Sequence, residues 1–200
     1  METLKNELID KNLLITIGRQ FGSGGKQIAT CLSQMLDIPV YDNELLMEAA
    51  RSSGLSEELF RRSDEKKRLF SFASAGQSAI SEEKLFRIQS EVILSKASQG
   101  GAVFVGRAAD YVLREQRPIS IFISAPLQER IRRVSSRAGL SSAEALDLIR
   151  SKDKSRAAFY DFFTDRSWGR ADSYDLCVDS SLLGIEQTAV FIRDFCLKAR

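Results

Sequence analysis

The chain has 200 residues (22.4 kDa), 44% hydrophobic and 28% charged, which suits one compact domain whose core needs neither disulfide nor metal support. Lys+Arg 29 against Asp+Glu 27 leaves a formal charge of +2, so nucleic acid is not an expected partner and any bound anion must be held locally. Histidine is absent, which excludes Ser-His-Asp and Cys-His nucleophiles, histidine general bases and His-ligated zinc.

The chemistry is left to carboxylates, Lys, Arg, Ser/Thr and the backbone. Cys31, Cys177 and Cys196 are odd in number and never in CxxC spacing, arguing against a disulfide framework or a cysteine-rich metal site. The opening METLKNELIDKN has no apolar stretch behind a basic start, and later apolar runs are strand-sized. These features predict a cytoplasmic protein with no membrane partner.

Residues 13–17 (LLITI) predict a buried strand ending in a glycine cluster, and apolar residues at helical spacing predict a helix over 26–36. Pro39-Val40-Tyr41 reads as a second short strand, with Asp42 or Asn43 capping a helix that Gly54 stops. A short helix is expected from Ser56, and 61–81, charged then Ser/Ala-rich, reads as a surface segment or inserted lobe. A long helix from Ser81 to about Lys96 ends at Gly100-Gly101, releasing strand 102–105 into Gly106-Arg107. Strand 119–123 follows Pro118. Then come an arginine-faced helix over 127–137 and one or two helices from Ser141 to about Phe163. Strand 176–178 ends at Asp179, and 185–197 predicts a terminal amphipathic helix. Apolar strands alternating with helices predict an α/β fold, a five-stranded parallel sheet covered on both faces. Such sheets bind ligands at the carboxyl ends of their strands.

The stretch Gly22-Ser23-Gly24-Gly25, between a strand and a helix, lets successive backbone N–H groups face one concavity at the positive end of a helix dipole. That is a phosphate cradle, with positive charge from Lys26 and Arg19. It departs from GxxxxGK[ST]: Gln20 stands where the first glycine belongs, and Gln27 replaces the magnesium-binding Ser/Thr. Against a GSGKGT loop, Gly25 falls where the lysine stands and Lys26 is displaced by one residue, about 100° around the helix. Arg19 is then an alternative source of charge, and Ser23, Gln27 or water are the alternatives for holding Mg²⁺.

Six collinear segments, ITIGRQFGSGGKQIA, IPVYDNELL, AVFVGRAADYVL, IFISAPLQERIRRV, DKSRAAFYDFF and YDLCVDSSLLGIE, resemble the cytidylate kinase-like branch of the P-loop nucleoside monophosphate kinases. The resemblance implies a three-layer P-loop NTPase fold in a single domain, with a helical acceptor-binding insertion over about 43–100 and a lid over about 130–170. It implies ATP and Mg²⁺ at the glycine loop (Arg19, Gly22, Ser23, Gly24, Gly25, Lys26, Gln27). A nucleoside monophosphate, CMP or dCMP first, is expected near Asp42, Arg107 and Asp153. Lys26, Arg132 and Arg156 are the expected catalytic cations, and Arg130 and Arg133 introduce the lid.

Arg107 is similar to the Gly-Arg arginine of these kinases, but Ala108 replaces the usual following Asp. Asp42 reads equally as a helix cap, and Asp179-Ser180-Ser181 as a cap or a ligand contact. Phe159, Tyr160, Phe162, Phe163 and Trp168 either pack the lid on the body or stack on a base. The alternatives are a kinase with another small-molecule acceptor or a nucleotide binder without turnover.

Overall fold

The computed structural model describes residues 12–52 and 82–199. The expected helix from Ser56 and the segment 61–81, with much of the acceptor-binding insertion, lie outside the described residues.

Five strands, β1 (Leu14–Arg19), β2 (Val40–Tyr41), β3 (Ala102–Val105), β4 (Ile119–Ser124) and β5 (Leu176–Asp179), form one parallel sheet in the order β2-β3-β1-β4-β5. Every pairing is parallel, as strands joined through helices require. The pleat sends alternate side chains of β1 to opposite faces. Ile15 and Ile17 enter a core with α1 (Gly25–Leu36) and α7 (Ser180–Lys198), through Ile28, Leu32, Ala189 and Ile192. Leu14 enters the opposite core with α2 (Asn43–Ser52), α3 (Glu82–Ala97) and the one-turn α4 (Ala109–Val112), through Leu46, Ile88, Val92 and Ala109. The three-layer expectation holds. A third cluster, Val134, Ala145 and Ile149, joins α5 (Leu127–Ala138) to α6 (Ser142–Phe163) over Phe21.

Three differences from the sequence reading matter for the site. β1 runs two residues further than its apolar run, because Gly18 and Arg19 pair in register with Phe122 and Ile123 of β4. Arg19 is therefore a sheet residue with a fixed backbone. Residues 142–163 form one helix, started by a capping box in which Ser141 and Glu144 satisfy each other's backbone N–H. The terminal helix begins at Ser180, where the Asp179 carboxylate accepts from Ser181 N–H at 2.8 Å, and is kinked at Gly184 (φ 74°, ψ 178°). Asp179 thus acts as a cap. Among the described residues no helix is long and apolar enough to cross a membrane.

Candidate phosphoryl-transfer site

The glycine loop connects β1 to α1. Gly22 and Gly24 adopt φ of 83° and 82°, a left-handed conformation that side chains disfavour, and these two turns coil the loop. The first internal bond of α1 is Ile28 N–H to Gly24 O at 3.0 Å. The amides of Gly25, Lys26 and Gln27 precede it and have no partner within the helix. Gly24 also has no room for a side chain, since a Cβ would strike Ile185 just beyond the α7 kink.

The loop is braced from behind. Asp153 on α6 accepts the Phe21 N–H at 2.7 Å through Oδ1, and Arg130 of α5 donates to its Oδ2 at 2.5 Å. Arg133 donates to the carbonyl of Ser23 at 3.1 Å and to Ser180 Oγ at 3.0 Å. The Ser180 hydroxyl itself donates to that Ser23 carbonyl at 2.6 Å. The Phe21 and Ser23 amides are spent on Asp153 and on the Gln20 carbonyl, so the amides turned to a ligand are those at the start of α1.

Two cavities open beside this loop. The first, about 480 Å³, is lined by Gly22, Gly24, Gly25, Lys26 and Gln27 with Arg132, Arg133 and Arg137. The second, about 760 Å³, lies over the ends of β1 and β3, between Gly106-Arg107 and the aromatic half of α6. Arg19, Phe21 and Arg156 line both and form the partition between them. Arg156 donates to the Arg19 carbonyl at 3.0 Å and lies 5.4 Å from the centre of the Phe21 ring. Burial pushes its pKa down, against the pull of Asp153.

Arg107 follows β3 in a turn where Gly106, Arg107 and Ala108 are all left-handed (φ 76°, 59° and 52°). Two non-glycine residues in that conformation mark backbone strain of the sort stored at functional sites. The turn lays the Arg107 guanidinium 3.9 Å from the centre of the Phe159 ring, while its Nε donates to Gln89 Oε1 at 2.6 Å. Gln89, fully buried in α3, in turn donates to Asn43 Oδ1 at 2.9 Å and so ties Arg107 to α2. Burial pushes the Arg107 pKa down to about 10, opposed by Glu82, and the group stays cationic at neutral pH.

The remaining expected site residues fall as follows. Asp42 does two things: Oδ1 caps α2 by accepting from Glu44 and Leu45 N–H at 3.0 and 3.1 Å, and Oδ2 meets Lys26 Nζ at 2.6 Å. Asp153, expected at the acceptor, lines neither cavity, because both of its oxygens are spent on the loop and on Arg130. Arg130 likewise is a buried brace rather than a lid group, and Arg133 combines bracing with a place on the first cavity wall. Arg132 is exposed and pairs with Glu129. Ser23 is fully buried and donates to Gln20 O at 2.9 Å, whereas Gln27 is exposed at the cavity. Between the two side chains considered for Mg²⁺, this favours Gln27.

The aromatic stretch divides its work. Phe163 stacks on Phe86 of α3 at 4.3 Å, packing α6 onto the body, while Phe159, Phe162 and Trp168 line the second cavity. Tyr160 donates to the buried Asp110 at 2.6 Å. Burial raises the pKa of both groups, and the carboxylate adds to the rise of the phenol. Sequence reasoning missed Phe21, Arg137 and Gln89. The first two carried a signal, an aromatic beside the glycine loop and an arginine one turn beyond Arg133. A lone Gln inside a helix carried none.

A parallel sheet in this order, with a glycine loop after its first strand and cations around two adjoining cavities, defines a P-loop phosphotransferase. The profile of the cytidylate kinase-like family matches residues 14–182, and the chain belongs to that family. It is a phosphotransferase of the nucleoside monophosphate kinase type. The cytidylate kinase of Pyrobaculum calidifontis is 24% identical over 184 residues, covering 92% of each chain. That of Methanocaldococcus jannaschii is 26% identical over 178 residues, covering 87% of this chain and 92% of its own. An uncharacterized protein from Eubacterium ventriosum superposes with a TM-score of 0.75 at 26% identity, over 94% of this chain and 99% of that one. A shikimate kinase from Bacteroides thetaiotaomicron shares the fold, with a TM-score of 0.53 at 13% identity over 92% and 97% of the two chains.

Proposed function

We propose that the chain transfers the γ-phosphoryl group of ATP to a nucleoside monophosphate, with CMP or dCMP the preferred acceptor. The observation that carries this reading is the shared wall. Two cavities, one floored by free loop amides and one closed by Arg107, meet at Arg19, Phe21 and Arg156. A protein that only bound ATP would not need the second set of phosphate-reading groups. Cytidine as the base is supported by the relatives at 24% and 26% identity, which are cytidylate kinases.

An acceptor phosphate oxygen attacks the γ-phosphorus as the bond from that phosphorus to the β,γ-bridging oxygen breaks. ADP leaves with the electron pair, and a diphosphate forms on the acceptor. A dianionic acceptor needs no proton removed, so the absence of histidine is no handicap. Two anions must instead be held in line and their repulsion offset. The loop amides hold the donor, and Arg132 and Arg133 stand on its side. Arg107, held by Gln89 through Nε, offers its two terminal nitrogens to the acceptor phosphate. Arg156 acts from the partition.

Mg²⁺ suits this arrangement. Among the described residues no three acidic or thiol ligands converge into a cage, and Mg²⁺ is typically held by substrate phosphates, water and one or two protein oxygens. Gln27 lines the donor cavity beside the loop, and its amide oxygen would be the oxygen it offers the ion. When bound, the ion would neutralise charge on the β- and γ-phosphates.

A coupled ADP-release assay over CMP, dCMP, UMP, AMP, GMP and shikimate tests the reading. The expected result is the highest kcat/KM with CMP or dCMP, and a loss of more than about tenfold in Arg107→Ala. ATP binding without turnover on any acceptor would replace this reading with that of a binder.

A further inference from the structure

Lys26 and Arg19 are the two cations flanking the glycine loop, and their surroundings are opposite. Lys26 is exposed, and its Nζ lies 2.6 Å from Asp42 Oδ2 and 3.4 Å from Glu44 Oε2. Its charge is already met by two carboxylates at the start of α2, and the hydrogen bond to Asp42 raises its pKa.

Arg19 has no such partner among the described residues. Its backbone is fixed by pairing with Ile123, and its side chain threads between two glycines. A Cβ on Gly25 would lie 2.7 Å from Arg19 Cβ and 2.9 Å from Cγ, and a Cβ on Gly106 would fall on Arg19 Nη1. The guanidinium thus reaches the partition between the cavities. Among the described residues no carboxylate is hydrogen-bonded to it. Burial first, then Arg156 and Arg107, push its pKa down to about 9, while Asp42 opposes them from a distance. It remains a cation at neutral pH. A half-buried cation crowded by two others, with its side chain held between two glycines, calls for an anion.

The same threading accounts for the irregular loop. Gly25 stands where a GSGKGT loop carries its lysine, and any side chain there would displace the stem of Arg19. Gly25 and Arg19 are two halves of one exchange.

Resting on the phosphoryl-transfer reading above, we infer that Arg19 replaces the phosphate-loop lysine in this chain. Its guanidinium holds the phosphoryl group as it passes between the two cavities, while Lys26 anchors the loop to α2. Gly106 is a positioning residue that leaves room for the guanidinium.

Arg19→Ala, Arg19→Lys, Lys26→Ala and Gly106→Ala, made in the full chain, test this. Arg19→Ala is expected to lower kcat by about a hundredfold or more, the scale seen when one transition-state donor is removed, with KM for ATP changed by less than about fivefold. Added guanidinium should restore at least a tenth of the lost rate, roughly the behaviour of a missing group rather than a collapsed site. Lys26→Ala should cost less than about tenfold in kcat, because its charge is spent on Asp42 and Glu44. Gly106→Ala should reproduce the loss and add little to it in the double variant with Arg19→Ala.

A hundredfold loss in Lys26→Ala beside a near-normal Arg19→Ala would overturn the inference. So would a loss in Arg19→Ala that neither guanidinium nor Arg19→Lys relieves. Calorimetric binding of inorganic tripolyphosphate to the same variants keeps the two questions apart. A wild type inactive on every monophosphate would sink the kinase reading. The present inference would still require Arg19→Ala to weaken tripolyphosphate binding more than Lys26→Ala does, and the reverse order would refute it.

Discussion

At the residue scale, Asp153 shapes the glycine loop without lining either cavity. It takes the Phe21 amide and the Arg130 guanidinium, with side-chain exposures of 10% for Arg130 and 18% for Asp153, so the pair is largely shielded from water. Removing the carboxylate leaves Arg130 buried beside an open space. Asp153→Ala should cost about 2–3 kcal/mol in urea unfolding and weaken ATP binding, with Asp153→Asn retaining part of the Phe21 contact. Asp42 carries a pH signature. Burial alone would raise its pKa, but Lys26 and the amides of Leu45 and Glu44 outweigh this and hold it below the usual carboxylate range. A folded-state pKa below the unfolded one stabilises the native state above the unfolded value, and that stability is lost as pH falls through the folded value. Unfolding midpoints measured from neutral pH into acid should therefore fall less steeply in Asp42→Asn than in the wild type.

At the element scale, the loop is held by helices distant in sequence, and a Cβ on Gly24 would strike Ile185 just beyond the α7 kink. Gly24→Ala combines a left-handed alanine with a clash, and should cost about 2–4 kcal/mol by denaturant titration. Ile185→Ala should recover part of that loss in the double variant, since the clash is with its side chain. This kink also marks where sequence reading falls short. The apolar periodicity starts the terminal helix at Ile185, whereas Asp179 already caps a helix that resumes beyond Gly184. Strands β3 and β4 were legible because their apolar runs are bounded by glycines or prolines. The one-turn α4 was not, because its start depends on Arg107 and Ala108 adopting left-handed φ that no residue preference foretells. The glycine loop and Arg107 could be placed from local pattern and resemblance. The Asp153 to Phe21 bond spans 132 residues, and only the docking of α6 on the loop creates it.

At the scale of the whole molecule, the sheet order brings the ends of β1 and β3 side by side, so one cavity forms over each side of the glycine loop with Arg19, Phe21 and Arg156 shared between them. The division of the chain into donor side, acceptor side and partition is the central claim. A crystal structure with CMP and a non-hydrolysable ATP analogue tests it most directly. The expected result is the triphosphate against the amides of Gly25 to Gln27, the CMP phosphate at Arg107, and the Arg19 guanidinium within hydrogen-bond distance of the γ-phosphate. A triphosphate bound away from the loop, or a γ-phosphate held by Lys26 with Arg19 turned aside, would contradict it.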